Sequence, residues 1–235
     1  MTIIKTLLIA IITIFDTCRA LYAMKMGGGE KFYNLSRKWA RLLLKISGVK
    51  VVLEGAENLE HGKAYIIASN HSSIYDIPVM LAYFPLNINI LYKEELEKFP
   101  IWGFGLKKSP FVAINRSRPR KAAASLQIAA DKVTAGVSLF IFPEGTRTKD
   151  GTLGEFKRGA LSVAGKTGAD ILPVAISGTF GILPKNKMKI VPSLVTIKIL
   201  KPVETPENMT KQAEIELLSK LREKIENNLV KVRIT

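Results

Sequence analysis

Cysteine is nearly missing from this chain: Cys18 is the only one in 235 residues. One thiol can neither close an internal disulfide nor build a thiolate metal site, which favours a reducing, cytoplasmic setting. Histidine is scarce too. His61 and His71 stand ten positions apart with no cysteine cluster beside them, so no zinc site is expected. Aromatic residues make up only 8%, and several sit inside apolar runs. A nucleic-acid surface asks for aromatics interleaved with basic groups, so no nucleic-acid partner is expected. Acidic residues are outnumbered 20 to 35, giving a formal charge of +15 and a pI near 9.9. With nucleic acid disfavoured, an anionic membrane surface is the expected polyanion. The hydrophobic and charged fractions, 47% and 23%, are those of a globular protein with chain enough to bury its own core.

Long hydrophobic runs are lacking as well. A bilayer-spanning helix needs roughly 20 apolar residues, whereas LLIAIITIF at 7–15 counts nine, and Asp16 and Arg19 follow it. The small-x-small pattern of a signal-peptide cleavage site does not follow either. The next segment, EKFYNLSRKWARLLLKISG, sets Phe32, Leu35, Trp39, Leu42, Leu43 and Ile46 at helical spacing, flanked by Arg37, Lys38, Arg41 and Lys45. Between the two lies GGG at 27–29, a flexible break. Residues 1–50 carry nine basic groups and two acidic ones, a net of +7. Strong positive charge beside the most apolar stretch predicts helices lying in an anionic interface. Residues 1–48 are therefore read as an amphipathic two-helix membrane-anchoring hairpin, monotopic on the cytoplasmic face of the cell membrane. The plainer reading is two packed core helices.

From residue 49 to 235 the pattern is that of one α/β domain. Seven short apolar runs have strand length: 49–55, 64–70, 87–93, 110–116, 137–142, 171–177 and 195–200. Helical patterns at 120–136 and 156–168 separate several of them. Such alternation predicts a largely parallel central sheet flanked by helices. Four runs end in reactive or anion-binding residues: Asn70 and His71, Lys93, Arg116, and PEGTR at 143–147. Ligands of open parallel sheets bind beyond the carboxyl ends of the strands, so these groups are expected to face one crevice. The segment from Pro206 places Ile215, Leu218, Leu221, Ile225 and Leu229 at helical spacing, as a helix packed on the sheet would.

His71 and Asp76 are five apart in NHSSIYD. On a straight helix they would point about 140° apart, so a turn has to join them. Pro78 suits the first turn of a helix beginning near Asp76. His71 then lies in the preceding loop, where the carboxylate can fold back on one ring nitrogen and leave the other free as a base. Ser72 and Ser73 adjoin it, but no G-x-S-x-G stretch occurs, and helix capping or turn bonding is their plainer reading.

Four blocks in order resemble the glycerolipid acyltransferases that acylate 1-acylglycerol 3-phosphate. NHSSIYD is similar to that family's NHxxxxD motif, FVAINR to its second block, FPEGTRT to its third and ILPVAISG, centred on Pro173, to its fourth; together they span 70–178. The resemblance implies that His71 is a general base oriented by Asp76. It also implies that Arg116, Glu144, Gly145, Thr146 and Arg147 shape a site for the glycerol phosphate, with Lys93 in a comparable position. Glu144, unable to bind a phosphate itself, is expected to orient an arginine or meet a glycerol hydroxyl. The implied reaction moves an acyl group to the sn-2 hydroxyl of lysophosphatidic acid, giving phosphatidic acid. An acyl-coenzyme A or acyl-carrier-protein thioester serves as cosubstrate, with no other cofactor and no metal. Glycerol 3-phosphate or another lysophospholipid as acceptor, a lipid hydrolase using Ser72 or Ser73, and a basic membrane-binding module are the alternatives.

Overall fold

The computed structural model describes residues 2–115, 117–183 and 189–230. Arg116 therefore lies outside the described residues. Each of the seven apolar runs coincides with a strand, the last beginning one residue early: β1 (Lys50–Glu54), β2 (Ile66–Ser69), β3 (Ile88–Lys93), β4 (Val112–Ile114), β5 (Ser138–Ile141), β6 (Ile171–Ser177) and β7 (Leu194–Ile199). They form one sheet in the order β1-β7-β6-β2-β5-β3-β4. Neighbours pair in parallel except β6 with β7. Hence β6, β2, β5, β3 and β4 share one direction, and their carboxyl ends lie along one edge of the sheet.

Both faces of the sheet are covered, as continuous apolar strands require. Successive residues of β2 serve opposite faces. Ile67 joins Val79 and Met80 of α3 (Asp76–Tyr83), whereas Ile66 and Ala68 join Ala129 and Val133 of α5 (Pro119–Thr134), Val163 and Ala164 of α6 (Ser162–Thr167), and Leu218 and Leu221 of α7 (Lys211–Glu226). The packing face of α7 is as expected except at Ile215, which remains exposed. A short α4 (Trp102–Lys108) lies in the crossover from β3 to β4.

The N-terminal segment departs from expectation in two ways. First, Asp16 and Arg19 do not end the apolar helix: α1 runs from Thr2 to Lys25, about 36 Å at 1.5 Å per residue. Arg19 donates to Asp16 at 2.8 Å, one turn back on the same helix, so the two charges neutralise each other without breaking it. Ile3–Lys25 is long and apolar enough, by length and composition, to cross a membrane, and only 6% of its most apolar window is buried. Second, α2 (Gly29–Ser47) is part of the domain that follows it. Its Ala40, Leu43 and Leu44 share one core with α3 and the sheet, so a cut after residue 48 would remove core residues.

Part of the basic charge on α2 also has an internal use. Arg37 donates to the carbonyls of Phe84 and Leu86 and to the Asn87 side chain, and Arg41 donates to the Ala82 carbonyl. These groups follow or close α3, where helix carbonyls lack intrahelical partners. Arg37→Ala is expected to lower stability by about 1–3 kcal/mol, read as the shift in the urea midpoint, with vesicle binding unchanged. A solely membrane-facing arginine would give the reverse result.

Candidate active site

Strand order brings the site together. β2 lies between β6 and β5, so the residues following these three parallel strands meet at one edge. Asn70, just past β2, is fixed by β6: its side-chain amide donates to the Ile176 carbonyl at 2.8 Å, and its carbonyl oxygen accepts from the Ile176 N–H at 2.8 Å. The next residue, His71, therefore leaves the sheet from a fixed point.

The turn expected between His71 and Asp76 is present. His71 Nδ1 lies 2.8 Å from Asp76 Oδ2, and the same oxygen accepts the Ser72 and Ser73 N–H groups at 2.8 and 2.9 Å. Asp76 opens α3, and its other oxygen accepts the Thr179 hydroxyl at 2.5 Å. Its side chain is fully buried, so four donors replace the water a carboxylate would otherwise require. The His71 side chain keeps 19% of its exposure. Its ring stacks on Phe142, with centroids 3.8 Å apart and planes 12° apart. Among the described residues no protein group hydrogen-bonds Nε2. The imidazole is thus held at Nδ1 and on one face while its far nitrogen is available.

The loop after β5 grips the backbone of His71. Glu144 Oε1 accepts the His71 N–H at 2.6 Å, and Oε2 accepts the Gly154 N–H at 2.8 Å. The Thr148 N–H donates to the His71 carbonyl at 2.9 Å. Burial pushes the Glu144 carboxyl above its ordinary value, and the His71 and Gly154 N–H groups oppose that shift. Both of its oxygens are on backbone donors and the side chain is buried, so among the described residues Glu144 hydrogen-bonds backbone N–H groups and no arginine. Gly145 turns the chain at φ +73, a region that disfavours side chains, and its N–H closes on the Phe142 carbonyl at 3.0 Å.

The basic candidates are less tightly arranged. Lys93 ends β3 on the same edge of the sheet but is exposed, 3.6 Å from Glu95. Thr146 and Arg147 are exposed in the loop after β5. Pro173 lies inside β6, opposite Ala68 of β2. Ser72 Oγ contacts Thr179 Oγ1 at 3.1 Å, and buried Ser73 accepts the Tyr75 N–H. Both serines are engaged in the turn.

A family model described as acyltransferase matches residues 50–177, from β1 to the end of β6. The chain belongs to the acyltransferase family. Among curated relatives, the chloroplastic 1-acyl-sn-glycerol-3-phosphate acyltransferase LPAT1 of Arabidopsis thaliana is 34% identical over 157 residues, 66% of this chain and 44% of the relative. The 1-acyl-sn-glycerol-3-phosphate acyltransferase of Borreliella burgdorferi is 32% identical over 154 residues, 66% of this chain and 62% of the relative. The chain spans about half the length of the first such relatives. Among solved structures, the 1-acyl-sn-glycerophosphate (LPA) acyltransferase PlsC from Thermotoga maritima matches with a TM-score of 0.76 at 28% identity, covering 97% of this chain and 95% of that one.

Within this acyltransferase fold, sequence reasoning passed over Asn70 as a brace, Phe142 as the surface behind the imidazole and Thr179 as a donor to Asp76. Asn70 and Phe142 sit at strand ends that the carboxyl-edge rule already marks. Thr179 follows Gly178, whose φ of +91 leaves an added Cβ only 2.2 Å from the Leu194 carbonyl oxygen. A glycine followed by a hydroxyl after the fourth block was the available signal.

Proposed function

We propose that this acyltransferase moves a fatty acyl group from an acyl thioester to the free hydroxyl of 1-acylglycerol 3-phosphate, forming phosphatidic acid. The reading rests on the imidazole held at Nδ1 by a buried carboxylate, inside the segment that matches the family. His71 Nε2 takes the proton of the acceptor hydroxyl as that oxygen attacks the thioester carbonyl. A carbon–oxygen bond forms, the carbon–sulfur bond breaks, and the imidazolium returns the proton to the departing thiolate. Asp76 stabilises the transient imidazolium. Lys93, Arg147 and Arg116 would draw in the acceptor phosphate, for which a guanidinium fork is well shaped.

Purified protein given lysophosphatidic acid and a labelled acyl thioester is expected to place the label on phosphatidic acid. Label in free fatty acid would instead indicate a hydrolase, and preference for glycerol 3-phosphate or another lysophospholipid would correct the acceptor. Arg147→Ala is expected to raise the KM for the acceptor about tenfold or more, as loss of one charged hydrogen-bonding partner implies, while the donor KM stays put. Equal losses on both would remove Arg147 from phosphate binding.

The chain is proposed to work at a membrane, from which it takes a lipid acceptor and to which it returns a lipid product. Supporting this are the exposed apolar side chains of α1, including Ile3, Leu7, Ile11 and Phe15, and the +15 net charge. Anchoring by the hairpin of α1 and α2 on the cytoplasmic face remains part of the proposal. Because α2 belongs to the core, the informative deletion is residues 1–25. It is expected to weaken binding to anionic vesicles at least about tenfold, and undiminished binding would leave α1 without that role.

A further inference from the structure

Between β3 and β4 the chain forms a second exposed apolar surface, remote in sequence from the N-terminal helices. Phe99, Ile101 and Phe104 are 57%, 45% and 54% exposed. Lys98, Lys107 and Lys108 are exposed on the same segment, and the Lys108 ammonium lies 5.9 Å from the centre of the Phe104 ring. Phenylalanines ringed by lysines suit an anionic lipid interface, where the rings enter the acyl boundary and the ammonium groups meet headgroups.

The local backbone holds this surface outward. Gly103 and Gly105 lie inside α4, where glycine is a poor helix former. An added Cβ at Gly103 would stand 2.5 Å from the Glu97 carbonyl oxygen, and one at Gly105 would stand 2.4 Å from the Thr17 side chain of α1. These two glycines therefore seat α4 closely on the preceding turn and on α1. Ile101 sits at the tip with φ 62 and ψ −65, and the Trp102 N–H closes on the Pro100 carbonyl at 2.7 Å. This is a strained γ-turn, and for a β-branched residue the positive φ is a true outlier. Glycine would relieve the strain, and Ile101, 45% exposed, still presents much of its apolar side chain to the outside.

We propose that the segment from Lys98 to Lys108 is a second membrane contact, inserting Phe99, Ile101 and Phe104 into an anionic bilayer alongside α1. The proposal rests on the membrane-working enzyme proposed above and adds a contact beyond its N-terminal helices. Together the two contacts would fix orientation: one helix lets the domain swivel, whereas contacts at α1 and at the β3–β4 crossover hold the sheet at one angle to the lipid.

The chain has two tryptophans, so Trp39→Phe in the full-length protein leaves Trp102 as the only such fluorophore. With phosphatidylcholine vesicles containing phosphatidylglycerol, Trp102 is expected to lose most of its acrylamide quenching and to be quenched by lipids brominated near the headgroup. Adding Ile101→Asp and Phe104→Asp is expected to abolish that protection. It should lower turnover on vesicle-borne acceptor roughly tenfold for each apolar group withdrawn and spare turnover on a short-chain acceptor free in solution. Trp102 equally open to acrylamide with and without vesicles, in protein that sediments with them, would overturn the proposal. So would a dimer in solution dissolved by Phe104→Asp, which would make the patch a contact between copies. The fluorescence result does not depend on turnover, so an inactive parent protein would refute the enzymatic reading and leave this one standing or falling separately.

Discussion

His71→Ala is expected to lower turnover by about 10³-fold or more, within the range a positioned general base supplies, while leaving the folded structure in place. Three features carry the expectation: the Asp76 carboxylate 2.8 Å from Nδ1, the Phe142 ring behind the imidazole, and an Nε2 without a protein partner among the described residues. Little stability rides on the ring itself, because the strand end is fixed by backbone bonds to Glu144 and Thr148. Steady-state kinetics beside a thermal melt checks both halves, and a folded, active variant would end the base assignment.

Asp76→Asn sharpens the test. Asparagine can keep its oxygen toward His71, Ser72 and Ser73 and turn its amide toward Thr179, whose hydroxyl can accept as well as donate. The fold should therefore survive while the charge that stabilises the imidazolium is lost, with a fall of about 10²- to 10⁴-fold in kcat. Asp76→Ala should behave differently. It removes the acceptor of four buried or part-buried donors, of which Thr179 retains only its contact with Ser72 Oγ, and instability is expected to accompany inactivity.

The sequence reads well where function and folding use the same local signal. Seven apolar runs of strand length gave seven strands, because continuous Val, Ile and Leu stretches bounded by polar residues have few other uses in a chain of this composition. The turn joining His71 to Asp76 was legible because proline restricts where a helix can begin. Two kinds of information were not legible. Charges inside an apolar stretch look like its end, yet Asp16 and Arg19 meet one turn apart and let α1 continue. A basic amphipathic helix looks the same whether its arginines face headgroups or another helix's carbonyls, and Arg37 and Arg41 face carbonyls.

Glu144 illustrates the same limit inside the site. A carboxylate among basic residues reads as a partner for an arginine or a substrate hydroxyl, since sequence displays side chains and conceals free backbone N–H groups. In the fold it closes two such groups that no strand satisfies, one belonging to His71 and one to Gly154. This gives the PEGT loop a structural reason to accompany the histidine motif: the loop fixes where His71 leaves the sheet.

The largest combined effect on stability and turnover is therefore expected from Glu144→Ala. It leaves two part-buried N–H groups without their acceptor, at up to about 1–3 kcal/mol each, a large share of the margin of a typical domain. Glu144→Gln is the milder probe, because one oxygen still accepts while the amide confronts the second donor, for about 1–3 kcal/mol. Denaturant midpoints should rank wild type above glutamine above alanine. In whatever remains folded, kcat should fall more than acceptor KM, since the displaced group is the base. The pH dependence has a definite sign. Burial holds this carboxyl above its ordinary value of 4.5, so folding favours its protonated form; that contribution is full below about pH 4.5 and fades as pH rises through the native value. Glu144→Gln removes the titration, so the penalty of the variant should be greatest in acid and shrink as the wild-type carboxyl ionises. A penalty independent of pH, or an acceptor KM that moves more than kcat, would place Glu144 in contact with substrate instead of under His71.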